Sequence, residues 1–115
     1  MKSQAPLPFE IAPVEVKRRV DSGEPTFLLD VREPVAHAIA QIAGAQLVPM
    51  GTVPVMLQQI EAAADDALVV VFCHHGVRSL NVVNWLREQG VESCQSMAGG
   101  IDRWSNEIDP TIARY

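Results

Sequence analysis

The residues able to do chemistry lie together in one stretch, VVVFCHHGVRSLNVVNWL, residues 69–86. Four apolar residues run into Cys73, and His74, His75, Gly76, Val77, Arg78 and Ser79 follow it directly. Three readings are open to such a cluster. A cysteine ending a core strand is commonly inert packing, because cysteine is among the most buried residue types. Cys73, His74, His75 and Cys94 are also metal-ligand types. Their spacing matches no paired pattern such as C-x2-C with H-x3-H, adjacent histidines rarely point at one ion, and no metal is expected. The third reading is a nucleophile.

Only the thiolate attacks, and the residues after Cys73 favour that form. A helix beginning near Ser79 would turn free amide N–H groups toward an anion. A loop wrapped around the sulfur would add more, as a nest. Arg78 brings a permanent positive charge, and His74 and His75 could bring partial ones. Gly76 suits a sharp bend or a positive φ. Ser79 can cap the helix or donate a hydrogen bond to the sulfur. Packing needs none of Gly76, Arg78 and Ser79 in the turn after a cysteine, whereas an anion cradle uses all of them. Cys73 therefore reads as a nucleophile.

Short apolar runs alternating with helical patterns must position this loop. Pro6, Pro8 and Pro13 punctuate the start. A helix is expected over 13–22, with Gly23 as its stop and Val16 and Val20 on one face. TFLLDV, residues 26–31, predicts a buried strand, residues 33–40 a short helix, and QLVP, residues 46–49, a weak strand. Pro54 can open a helix carrying Val53, Leu57, Ile60 and Ala64, ended by Asp65 and Asp66. Leu68 to Phe72 is the strongest strand, continuous and β-branched, as in the middle of a parallel sheet. Residues 79–89 predict a helix with Leu80, Val83 and Leu86 on one side and Gly90 as its stop. A strand over 92–97, a Gly99-Gly100 turn and a last helix marked by Ile101, Trp104 and Ile108 complete the chain. Strands alternating with helices imply an α/β fold, with a mostly parallel sheet covered on both faces. In such sheets ligands bind beyond the carboxyl ends of the strands. Cys73 lies at one such end, and Asp30, Val31 and Arg32 lie at another.

Bulk properties bound the possibilities. The 115 residues suit one domain, and 48% hydrophobic against 20% charged residues predicts a packed core. A net charge of −5 without a basic cluster argues against nucleic acid as a partner. No apolar run approaches the ~18 residues of a membrane span, and MKSQAPLPFE lacks the apolar stretch of a signal peptide. The expected location is cytoplasmic, where the two cysteines would stay reduced.

The motifs taken in order resemble the rhodanese family of sulfurtransferases. Cys73-His74-His75-Gly76-Val77-Arg78-Ser79 is similar to that family's active-site loop, Cys-x-x-Gly-x-Arg-Ser or Thr. Leu28 to Pro34 (LLDVREP), Ile42 with Gly44-Ala45, Pro49, and Gly99-Gly100-Ile101 leading to Trp104 match further motifs, in the family's order. The resemblance implies one rhodanese domain over 1–115, with its core at about 9–105 and an irregular tail over 106–115. It implies that the Cys73 thiolate takes the outer sulfur of a donor such as thiosulfate and holds it as a persulfide, cradled by residues 74–79. An acceptor, cyanide or a thiol, would then remove that sulfur; a protein acceptor is possible, and no cofactor is required. Two other readings stay open: a non-catalytic interaction module, and a phosphatase or arsenate reductase. Related phosphatases use a longer loop than the four residues between Cys73 and Arg78, which suits a single sulfur atom better than a tetrahedral oxyanion.

The chain departs from the family pattern after Arg32, with Ala36-His37 and Ala40-Gln41-Ile42-Ala43, which bears on packing more than on catalysis. Asp30 is expected to brace the turn after its strand. Arg32 is read equally as a brace and as a secondary group for an anionic donor, and His37 as a surface residue. The simpler reading of His74 and His75 is that their amides line the cradle while the rings lean into solvent; the alternative has one ring at the mouth, moving protons near neutral pH. Cys94 is expected to pack in a strand rather than act as a resolving thiol. Trp85 and Trp104 read as core or groove wall.

Overall fold

The computed structural model describes residues 7–115; Pro6 and the rest of the stretch before residue 7 lie outside the described residues. The elements run β1 (Glu10–Ile11), α1 (Pro13–Ser22), β2 (Thr26–Asp30), α2 (Pro34–Ile39), β3 (Gln46–Leu47), α3 (Leu57–Asp66), β4 (Leu68–Phe72), α4 (Val77–Glu88), β5 (Cys94–Met97) and α5 (Gly100–Glu107). The five strands form one parallel sheet in the order β1-β5-β4-β2-β3. This is the α/β architecture expected from the alternating pattern.

The central place goes to β4 because it is apolar on both sides. Successive side chains of a strand point to opposite faces. Val69 and Val71, and Cys73 just beyond, enter a core with Ile60 of α3 and Val82, Val83 and Leu86 of α4. Leu68, Val70 and Phe72 enter a second core with Val16 of α1 and Ile101 and Trp104 of α5. LVVVF therefore carries no polar residue, since neither face meets water. After β2 the chain leaves toward β3; after β4, its neighbour, it leaves toward β5. The crevice between two such strands is where parallel sheets receive ligands. It holds Asp30 to Arg32 on one wall and Cys73 on the other.

Several boundaries differ from the sequence expectation. The edge strand β1 pairs Glu10 with Ser96 and Ile11 with Met97, and is too short to leave a pattern. Val20 is exposed while Val16 is buried, so α1 buries a narrower stripe than the spacing suggested. The helix expected from Pro54 begins at Leu57. The turns before it close through tighter bonds, from the Val53 N–H to the Met50 carbonyl and from the Leu57 N–H to that of Pro54. The last helix ends at Glu107, with Ile108, expected to mark it, as its C-cap. No helix of the described residues is long and apolar enough to cross a membrane.

Candidate active site

Helix α4 starts at Val77, two residues earlier than expected, and its N-cap is Gly76, at φ +101°. Ser79 therefore does not cap the helix. It lies inside the first turn, where its backbone N–H points back at Cys73 Sγ at 3.3 Å. The Gly76 N–H points at the same sulfur from 3.2 Å. The Ser79 hydroxyl lies 3.5 Å from it. Cys73 is almost wholly buried. Burial is the largest single influence on its ionisation and pushes the thiol up; the Ser79 hydroxyl and the N–H groups of Ser79, Gly76 and Arg78 together outweigh it, so the thiol lies below its ordinary value. The sulfur is desolvated, and the N–H groups around it favour its ionised form.

The loop turns its amides inward because its carbonyls are held from the other side. The first turn of α5 donates N–H bonds from Ile101 to the Cys73 carbonyl at 2.9 Å and from Asp102 to the His74 carbonyl at 3.1 Å. Such close approach requires glycine. A Cβ on Gly100, at φ +63°, would lie 2.5 Å from the Cys73 carbonyl oxygen and closer still to that of His74. Gly100→Ala is therefore expected to lower unfolding free energy by ~1–3 kcal/mol, the usual range for overpacking, and to slow alkylation of Cys73. Denaturant unfolding with an alkylation time course checks this. Parent-like values for both would show that the loop and α5 separate freely.

The charged neighbours behave differently from expectation. The Arg78 side chain is exposed and makes no ion pair or hydrogen bond among the described residues. The His74 ring does not lean into solvent. It is stacked between His75 and Tyr115, with both centroid distances 4.0 Å, and its Nε2 is buried without a partner. Burial, then the neighbouring His75, holds it below its ordinary 6.5, so at neutral pH it brings no charge to the site. His75 is exposed, with Nε2 3.9 Å from Asp102 Oδ2.

His74, His75 and Asp102 each place one donor atom within 4.8 Å of the others, a grouping not apparent in the sequence. The two imidazole planes are only 25° apart in a stack, so their in-plane lone pairs run side by side instead of converging. Asp102 is also taken by Arg114, at 3.0 and 3.1 Å. Cys94 is not a member of this group. It pairs in register with Val69, its thiol donates to the Val91 carbonyl at 3.3 Å, and burial pushes that thiol up. It packs, as expected.

A rhodanese-like domain model matches residues 12–107. The chain belongs to the rhodanese-like domain family. It is 36% identical over 110 residues to the thiosulfate sulfurtransferase GlpE of Haemophilus influenzae, covering 95% of this chain and all of that one. It is 34% identical over 105 residues to adenylyltransferase and sulfurtransferase MOCS3-1 of Zea mays, covering 88% of this chain but 22% of that protein. The chain thus spans about a fifth of that longer relative. A rhodanese-related protein from Thermoplasma volcanium superposes with a TM-score of 0.77 at 25% identity, covering 92% of this chain and 98% of the other.

In this rhodanese-like domain the second strand end is a closed ion cluster. Arg32 is fully buried. All five of its side-chain N–H groups are used: on both carboxylate oxygens of Asp30, on the Ala36 and Ala40 carbonyls, and on the Tyr115 hydroxyl oxygen at 2.7 Å. It has no donor left for an incoming anion. His37, expected on the surface, is half-buried with Nδ1 2.9 Å from Asp30 Oδ2. Tyr115 was missed altogether. No local pattern connects it to Arg32, 83 residues away. Trp104 packs in the core beside α1.

Proposed function

We propose that this chain is a sulfurtransferase that carries a sulfane sulfur on Cys73. The Cys73 thiolate attacks the outer sulfur of a donor such as thiosulfate. A new S–S bond forms, the donor's own S–S bond breaks, and sulfite leaves with the electron pair. The persulfide anion that remains carries the negative charge. A thiophilic acceptor, cyanide or a thiolate, then attacks the outer sulfur, and the electron pair returns to Cys73 as thiolate. No net oxidation occurs and no cofactor is required.

The observation that carries this reading is the buried sulfur facing the Gly76 and Ser79 amides, in a loop with four residues between Cys73 and Arg78. Family membership and the sulfurtransferase names of its relatives support it. The same amides that favour the thiolate would favour a persulfide anion one atom further out. The single-domain core and a location in the cytoplasm are parts of the same proposal.

Incubation with thiosulfate is expected to make the protein heavier by one sulfur atom, mapped by peptide mass to Cys73 and not Cys94. Cyanide should remove it and release thiocyanate. An unchanged mass with thiosulfate, polysulfide and thiosulfonate donors alike would refute the reading.

A further inference from the structure

One polar group behind the sulfur has no part in the chemistry above. Ser96 lies in β5 beside Val71 of β4, and its side chain has no exposure to solvent. A buried hydroxyl that loses water without replacement costs about 1–3 kcal/mol. The replacement is a single contact: Ser96 Oγ lies 2.7 Å from Ser79 Oγ. Ser79 Oγ lies in turn 3.2 Å from the Gly76 carbonyl oxygen and 3.5 Å from Cys73 Sγ.

Each hydroxyl has one proton, and counting protons fixes the direction of the chain. Among the described residues Ser96 Oγ has no other hydrogen-bond partner, so its proton can go only to the Ser79 oxygen. If Ser79 donated to Ser96 instead, a buried O–H would be left without an acceptor. Ser79 therefore accepts from Ser96, and its own proton faces the loop. Beside a neutral thiol that proton satisfies the Gly76 carbonyl; beside a thiolate it turns to the sulfur. A donor that itself accepts a hydrogen bond is polarised and donates more strongly.

We propose that Ser96 is a positioning residue for Cys73: by donating to Ser79 it commits the Ser79 hydroxyl to the sulfur side and favours the thiolate. Ser96 does not touch the sulfur. The proposal rests on Cys73 as the reacting sulfur, but it concerns the ionisation of that sulfur, which can be read without a sulfur donor. The ionisable groups on the surrounding elements are His74 and His75 in the loop, Arg78 on α4, Asp102 on α5, Asp30 at the end of β2 and Arg32 just after it. All are retained in the variants below and cancel in the comparison.

The test is the pH profile of iodoacetamide alkylation at Cys73, read by peptide mass in the parent, Ser96→Ala and Ser96→Thr. Loss of one polarising hydrogen bond in the network is expected to raise the midpoint for Ser96→Ala by about half a pH unit, roughly a threefold loss of thiolate on the acid limb. Ser96→Thr keeps the hydroxyl and should titrate like the parent. A Ser96→Ala midpoint equal to the parent's overturns the proposal, as does a Ser96→Thr midpoint shifted as far as that of Ser96→Ala. If thiosulfate leaves the parent unmodified while the Ser96→Ala shift is present, the functional reading falls and the positioning role stands.

Discussion

Cys73→Ser is expected to fold as the parent does and to form thiocyanate from thiosulfate and cyanide only at background rate. A serine Oγ can accept from the same Gly76 and Ser79 amides, so the loop keeps its internal partner. What disappears is the nucleophile. A hydroxyl stays protonated where a cradled thiol ionises, and an oxygen cannot hold the transferred sulfur as a persulfide. The Gly76 and Ser79 amides keep an acceptor of similar size, so the thermal midpoint should stay close to the parent's. Thermal unfolding and thiocyanate formation measured on one preparation check both halves. Parent-like turnover would mean that sulfur travels by another route, and a lowered midpoint would mean that the thiol is part of the packing.

Asp30→Ala is expected to lower unfolding free energy by ~3–5 kcal/mol, the usual cost of stripping one partner from a buried ion pair. Asp30 accepts from the Arg32 backbone N–H, from Arg32 Nε and Nη2, and from His37. Without it the Arg32 guanidinium keeps its charge in a site closed to water. Burial acts to raise the Asp30 carboxyl, but Arg32 and His37 together overcome it and hold it below the ordinary 3.8. For a carboxylate held low, the stabilisation is complete above its ordinary value and is lost only as pH falls through the lowered one. The gap between parent and variant should therefore be fully open at neutral pH, persist through mild acid and close only below 3.8. Denaturant unfolding at a series of pH values measures it. A gap under ~1 kcal/mol at neutral pH, as for an exposed pair, would show that the cluster does not hold the turn.

What the sequence disclosed and what it withheld divide by range. The buried strand before Cys73 could be read from five residues without a polar group, and the loop from residue types at fixed spacing. Both signals are local. Tyr115 on Arg32, and Ser96 behind Ser79, depend on chain segments that meet only after folding, and a single serine in a short strand carries no mark of its partner. Arg32 illustrates a different limit. Its charge suggested an anion site, but whether a guanidinium is available depends on how many of its five donors are already used, which only coordinates reveal. Arg78 is the converse: its place in the loop suggested a charge beside the sulfur, yet its side chain lies at the surface.

The parallel pairing of β1 with β5 joins Glu10 to Ser96, and this sets the order in which a growing chain can become reactive. During synthesis the first strand must wait for nearly the whole domain before it finds its neighbour, and such non-local pairing folds slowly. The N–H groups that fix the loop carbonyls, those of Ile101 and Asp102, emerge later still. Until they leave the ribosome, Cys73 has its strand but not the backing that turns the loop amides inward. The backing that orients the Cys73 loop is thus the last part of the site to be made.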